Sequence, residues 1–401
     1  MRILQVTSKF PYPAVDGGSI ASLALAEGLS KAGASIDLFS LNTAKHSADD
    51  HQEEGLKKEG HYKLIRKCDI DTTPSIVRAL KHKWSGVSNY YVDRFFSIEC
   101  WEALSQLIRL NNYEIIILDH LNTTVYLNPI SEQVDCPIVI RAHNVESELR
   151  QRISDGAGKF SSRWILKGEV DKLRTYEVEV LNAADLVLTV SDRDRYQLEN
   201  LGVVSEMKTV PIGISAEPST QAASSDVFKI GFIGSLDWKP NLLGLYWFVN
   251  KLWPTIYSQH REVELHIAGS YLKSRPQWFN KNSIHYHGKV DDSKEFTRSM
   301  NLMIVPLWTG SGTRVKIIEA MATKVPVLAT VLGAEGLDVT SGQEAWITDK
   351  ASEWIDQINA IIENREESHA VVQAAYNYVQ SVHEPVEIGK QLFEEFEKLL
   401  P

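Results

Sequence analysis

The densest chemistry in the chain lies in residues 309–330, TGSGTRVKIIEAMATKVPVLAT. Gly310 and Gly312 have no side chain to hold a ligand away from their backbone N–H groups. A helix predicted to begin near Thr313 turns its free N–H groups and the positive end of its dipole toward that loop. No acid completes a capping box, because Ser311 and Thr313 are each followed three residues later by a cation, Arg314 and Lys316. A helix start with glycines before it and cations after it is suited to an anion. Ser311, Gly312, Thr313, Arg314 and Lys316 are therefore candidate anion ligands. Glu319, one to two turns deeper, has a carboxylate that can accept both protons of a cis-diol such as that of ribose. The competing reading is that Lys316 and Glu319 form an exposed i,i+3 ion pair of little consequence.

Three further segments place reactive residue types at predicted strand ends. In residues 232–241, FIGSLDWKPN, Ser235 and Lys239 follow a strand; Lys239 either meets an anion or is a solvated loop lysine. In residues 11–19, PYPAVDGGS, Gly17 and Gly18 either offer backbone N–H groups to a ligand or form a plain turn. In residues 141–146, RAHNVE, His143 and Asn144 end a strand, and His143 can equally be a satisfied structural histidine.

Alternating β and α segments must hold these residues. In the first half the strand candidates are 2–7, 35–40, 114–118, 137–143 and 185–190. In the second half they are 228–233, 263–268, 284–287, 302–306, 326–330 and 345–348. Most are continuous apolar runs, as expected of parallel strands covered on both faces. Helical spacing appears in residues 19–33, 243–252 and 314–323. The pattern predicts two doubly wound α/β domains. The segment 216–227, AEPSTQAASSDV, reads as the linker, giving domains at 1–215 and 216–380 and a final helix within 381–401. That helix carries an apolar stripe from Val386 to Leu400 that must pack on something. Residues 46–58 are polar and read as a surface loop.

Composition narrows the classes further. The chain has 401 residues, 43% hydrophobic and 23% charged, enough to bury two cores and incompatible with a disordered or fibrous protein. No apolar run approaches the roughly 20 residues needed to span a bilayer, and the polar turn within seven residues of Met1 is too early for a signal-peptide core. The three cysteines, Cys68, Cys100 and Cys136, have no C-x-x-C spacing and read as reduced thiols of a cytoplasmic protein. The net charge of −10 argues against a nucleic-acid partner, so any anion must be held by a few placed cations and helix ends. The D-x-D at Asp192-Arg193-Asp194 reads as a helix start, and no metal is assigned.

Taken in order, GGS, HNVE, GSLDWKPN and GSGTRVKIIEAMA make the chain resemble retaining glycosyltransferases of the GT4 family, from Met1 to about Glu363. The resemblance implies the GT-B architecture, two facing Rossmann-like domains with the final helix crossing back to the first. It implies that the first domain binds acceptor and the second binds a nucleotide-diphosphate sugar. Glu319 would hold the ribose, Lys239 and Arg314 would face the donor diphosphate, and Lys316 is a further candidate there. Ser235, Ser311, Gly312 and Thr313 would border the donor. Gly17 and Gly18 would close over it from the other domain, and His143 would lie beside the transferring sugar. Lys289 and Val290, in YHGKVDD, fall where such enzymes hold the base. Two departures stand out. Ser311 occupies the place of the first glutamate of the family's paired motif, and Ile212 stands where many relatives carry asparagine.

The implied reaction is metal-independent glycosyl transfer with retention, in which placed cations stabilise the leaving diphosphate. Its acceptor would be a glycan or a lipid-linked glycan, as in polysaccharide biosynthesis. No cofactor beyond the donor substrate is expected. A nucleotide-sugar epimerase and a catalytically degenerate nucleotide-sugar-binding protein are the alternatives. A dinucleotide oxidoreductase is disfavoured, because Val315 replaces the third glycine of G-x-G-x-x-G and the first βα turn lacks that pattern. Residues 159–174, KFSSRWILKGEVDKLR, are either a peripheral contact with the inner membrane face or a solvated helix face.

Overall fold

The computed structural model describes residues 1–44, 47–73, 89–155, 160–216, 227–269, 276–364 and 368–400, with side chains throughout except at 160–167. The chain divides into two units, Met1–Gly213 together with Pro385–Pro401, and Ile214–Glu384. Most of the predicted linker, 217–226, lies outside the described residues.

The first unit begins with β1 (Arg2–Thr7), α1 (Gly17–Lys31), β2 (Ser35–Thr43), α2 (Asp50–Glu59) and β3 (Tyr62–Ile70). Then come α3 (Ile98–Leu110), β4 (Ile115–Asp119), β5 (Ile138–Ala142), α4 (Glu146–Asp155), α5 (Phe160–Asn182), β6 (Leu186–Thr189), α6 (Asp192–Leu201) and β7 (Met207–Thr209). The seven strands are all parallel, in the order β3-β2-β1-β4-β5-β6-β7. Every residue of β4 and β5 is buried, as an apolar run in mid-sheet requires. Strand order reverses between β1 and β4, which opens a crevice beyond their carboxyl ends.

Three elements of the first unit differ from the sequence expectation, one of them the short strand β7, which forms one sheet edge with every residue only half-buried. The polar stretch expected as a loop contains α2, closed by a capping box. Asp49 accepts from the Gln52 N–H at 2.9 Å, and the Gln52 side chain accepts from the Asp49 N–H at 3.0 Å. Only Leu56 of this helix is buried, so apolar periodicity could not reveal it. Strand β3 also went unpredicted: it is the other edge of the sheet, and its middle residues are exposed or half-buried. The basic and aromatic residues 159–167 of the candidate membrane stretch lie outside the described side chains.

The second unit contains β8 (Phe228–Ile233) and α7 (Lys239–Trp247), which runs through a π-helical turn at Phe248–Leu252 into α8 (Trp253–Gln259). It continues with β9 (Val263–Ala268), β10 (Ile284–Gly288), α9 (Ser293–Arg298), β11 (Leu302–Val305), α10 (Val315–Ala322), β12 (Val327–Ala329), β13 (Trp346–Ile347), α11 (Ala351–Glu363) and α12 (Ser368–Val382). Its six parallel strands follow the order β10-β9-β8-β11-β12-β13, with the reversal between β8 and β11. Phe232, Phe248, Trp253 and Trp354 anchor its core.

The last helix, α13 (Pro385–Leu399), is part of the first unit. Leu392 and Phe396 of its apolar stripe join the cluster that holds Leu25 and Leu29 of α1. The helices meet backbone to backbone: a Cβ on Gly28 would lie 2.2 Å from the Pro385 carbonyl, and one on Gly389 would lie 2.0 Å from the Gly28 carbonyl carbon. Two parallel α/β sheets with the Rossmann strand order are the fold class that the sequence indicated. No helix among the described residues is long and apolar enough to cross a membrane.

Candidate functional site

In the second unit, the loops after β8 and β11 lie on either side of the strand-order reversal, where open α/β sheets bind ligands. The β8 loop carries Ser235, whose hydroxyl donates to Asp237 at 2.5 Å. Lys239 is not a loop residue as expected but the exposed first residue of α7, and Pro240 follows where a missing N–H costs nothing. Asn241, buried in the first turn, donates to the Ser235 carbonyl at 2.8 Å and so fixes that loop.

The loop after β11 passes through Gly310 and Gly312, at φ +113° and +87°, a region that favours glycine. Helix α10 begins at Val315, two residues later than predicted, because Arg314 is non-helical (φ −88°, ψ 86°). The N-cap residue Arg314 makes no side-chain capping bond, and in the first turn the Ile317 N–H donates to the Arg314 carbonyl at 2.8 Å. The Arg314 guanidinium donates to the Ser311 carbonyl and lies 5.7 Å from the Trp238 ring centroid, a cation–π distance. That contact joins the two loops. The hydroxyls of Ser311 and Thr313 are buried and have no hydrogen-bond partner among the described residues. Buried unpaired hydroxyls are uncommon and call for an explanation.

Lys316 and Glu319 do not form an exposed ion pair with each other. The Lys316 ammonium donates to the Asn241 side-chain oxygen at 3.2 Å and stands 4.6 Å from the Phe232 ring centroid. Burial, followed by the Arg314 charge, pushes its pKa down to about 7 against the pull of Glu319. Glu319 is only 7% exposed, and its carboxylate accepts from Ser293 Oγ at 3.4 Å. Burial raises its pKa above the ordinary carboxylate value, with Lys294 pulling the other way. Lys289 is exposed and Val290 half-buried, in the turn between β10 and the α9 helix that supplies Ser293.

In the first unit, Gly17 and Gly18 are the opening residues of α1. Asp16 caps the helix by accepting from the Ser19 N–H at 3.0 Å and is itself paired with Lys9. His143, just beyond β5, has Nε2 at 2.5 Å from Asp119 Oδ1 at the end of β4. Asp119 also accepts from Gln5 Nε2 at 2.7 Å, and Tyr62 donates to Gln5 at 2.9 Å. Burial alone would raise the Asp119 pKa. The His143 charge, its hydrogen bond and Arg141 outweigh that and hold it well below the usual range.

Sequence reading missed His120, Glu146 and Glu177, which extend this cluster. His120 has φ +111°, and its ring centroid is 5.4 Å from that of His143. Its Nδ1 accepts from the Asn122 N–H at 3.3 Å, which puts the ring proton on Nε2, 3.5 Å from Glu146. Burial drives the His120 pKa down to about 4, opposed by Glu146. Glu177 accepts from the Glu146 and Ser147 N–H groups at 2.7 and 3.1 Å and thereby caps α4. Burial pushes its pKa up to about 7 despite these bonds. The strand end at residues 119–120 was the available signal, since Asp-His follows an apolar run as Ala-His does at residues 142–143.

Comparison with known proteins places this geometry. Residues 227–364 match the family described as Glycosyl transferases group 1. Over 412 aligned residues the chain is 21% identical to a Klebsiella pneumoniae protein described as an uncharacterized 44.6 kDa protein in the cps region, covering 98% of this chain and 99% of that one. Sucrose-phosphate synthase from Thermosynechococcus elongatus superposes with a TM-score of 0.73 at 18% identity, covering 100% of this chain and 99% of that one. Anabaena Alr3699/HepE, solved in complex with UDP-glucose, gives 0.68 at 17% identity, with both chains covered fully. The fold is that of GT-B glycosyltransferases.

Proposed function

We propose that this protein is a retaining, GT4-like glycosyltransferase that moves a sugar from a nucleotide-diphosphate sugar to a glycan or lipid-linked acceptor. One observation carries the reading. A helix start without a side-chain cap follows Ser311 and Thr313, whose buried hydroxyls are unpaired among the described residues, and Arg314, at the strand-order reversal of the second sheet. Such a mouth suits a diphosphate. Glu319, one to two turns deeper, suits the ribose hydroxyls, and the segment at Lys289 and Val290 the base. The family match over the second unit and the UDP-glucose bound by the Anabaena neighbour support a UDP-sugar as donor. The cps-region description of the Klebsiella relative supports a role in polysaccharide assembly.

In the proposed reaction the bond from the anomeric carbon to the β-phosphate oxygen breaks as the acceptor oxygen attacks the same face. The acceptor proton passes to the departing phosphate. Lys239, Arg314 and the α10 start meet the charge that grows on the leaving diphosphate, which stabilises the transition state more than the bound donor. His143, held by Asp119, and the N–H groups of Gly17 and Gly18 are assigned to the sugar side by the family resemblance. The reaction is proposed to need no metal ion and to take place in the cytoplasm.

The test is transfer and thermal protection over a panel of nucleotide sugars, with and without Mg2+ or Mn2+. One donor should protect and react equally well in both conditions. Glu319→Ala and Lys239→Ala should each lower transfer by about 100-fold while the protein remains folded. Wild-type rates in both variants would overturn the assignment. Protection without transfer to any acceptor would instead identify a degenerate binding protein.

A further inference from the structure

Away from the candidate donor site, β9 and β10 bring together three histidines and a glutamate. Glu264 and His266 alternate on β9, and His285 and His287 alternate on β10, so each pair points to one face of the sheet. The parallel register sets His285 opposite His266. On the other face, Leu265, Ile267 and Ile284 are buried in the core, which fixes the orientation of both strands. His266 Nε2 lies 2.9 Å from Glu264 Oε2, and His285 Nε2 lies 3.6 Å from Glu264 Oε1. The ligand atoms of Glu264, His266 and His285 all fall within 4.8 Å of one another.

We infer that Glu264, His266 and His285 form a binding site for a divalent transition-metal ion of the zinc class, clamping the edge strand β10 to β9. Ligands at about 2.0–2.1 Å from a tetrahedral ion are separated by roughly 3.3 Å, and the two observed separations lie on either side of that value. Two imidazoles and one carboxylate are a zinc donor set with a fourth position for solvent, and they suit Mg2+ or Ca2+ poorly, since those ions prefer oxygen ligands. A metal-binding histidine needs a partner on its other ring nitrogen, and His266 has one: its Nδ1 is 2.9 Å from His287 Nε2. Access is also provided, because His266 is buried while the His285 side chain is 47% exposed. Lys229, in register with Glu264 on β8, is the charge that competes for the carboxylate. The site is independent of the sugar-transfer reading, although β10 runs straight into Lys289 and Val290.

Titration of the metal-stripped full-length chain with Co2+ tests the inference. One ion should bind per chain with the visible absorption of a four-coordinate site, be displaced by Zn2+, and be unaffected by Mg2+. His285→Ala and Glu264→Gln change a half-exposed group and an isosteric one, so both variants should fold, as circular dichroism can verify. Each should weaken Zn2+ binding by tenfold or more, and His287→Ala by about 10–100-fold through its hold on His266. His143→Ala and a triple Cys→Ser variant at Cys68, Cys100 and Cys136 should bind as the parent does. Failure to bind at a tenfold excess of metal would overturn the inference, and so would binding that survives both His285→Ala and Glu264→Gln.

Discussion

Lys316 keeps its ammonium buried close to a second cation, Arg314. Its pKa of about 7 lies below the ordinary 10.5, so between those values the unfolded chain binds more protons than the folded one. Stability therefore rises with pH through that window, and below about 7 the full cost of burying the ammonium remains. A diphosphate bound nearby would restore the proton. Calorimetry of UDP binding at pH 8 in two buffers of different ionisation enthalpy should reveal proton uptake that is lost in Lys316→Met; equal heats in the two buffers would count against a phosphate role. Glu319 gives a complementary prediction. Its carboxylate is buried with one long hydrogen bond, so Glu319→Ala should leave thermal stability unchanged or slightly raised. UDP affinity should nevertheless fall about 10–100-fold, the worth of a charged hydrogen bond or two. The turn at Gly310 and Gly312 and the helix that follows Arg314 were legible, because paired glycines ahead of a periodic apolar run mark a loop entering a helix. His120 and Glu177 were not, because their significance lies in partners 26 and 31 residues away, Glu146 in both cases.

At the scale of elements, legibility followed burial. Mid-sheet strands such as β1, β8 and β9 were predicted to the residue, since the face each turns to the core carries apolar residues at alternate positions, as in Phe228, Ile230 and Phe232 or Val263, Leu265 and Ile267. The edge strand β3 and the helix α2 face solvent, and what marks them, a capping box and a register, is invisible to hydrophobic period. The histidines of β9 and β10 show a third case. Their period of two was in the sequence, but only the pairing of the strands makes it a cluster. The α1–α13 contact supports a sharper prediction. Neither Gly28 nor Gly389 can accept a Cβ without backbone movement, so Gly389→Leu must separate the helices. Overpacking of this kind costs about 3 kcal/mol, and melting should fall by roughly 6–12 °C. A melting point within a degree of the parent would show that α13 can dock without this close approach.

For the whole molecule, the decisive feature is that the chain's end belongs to its beginning. The second unit, Ile214–Glu384, is one continuous stretch with its own core, whereas the first unit is completed only by α13. Leu392 and Phe396 are 2% and 0% exposed there, and truncating a single buried Leu or Phe already costs about 2–5 kcal/mol. Losing both together approaches the roughly 5–15 kcal/mol that holds a typical domain folded. Residues 214–384 should therefore unfold cooperatively as an isolated fragment, while residues 1–213 alone should show no cooperative transition until a peptide of residues 385–401 is added. The fragments also locate the anion site. If the α10 mouth binds the diphosphate, UDP at about 100 times its Kd should stabilise the 214–384 fragment by about 2.7 kcal/mol, visible as a rise in its melting temperature. A fragment that melts cooperatively but at the same temperature with and without UDP would place the nucleotide elsewhere. The reading of Ser311, Arg314 and Glu319 as donor ligands would then fall with it.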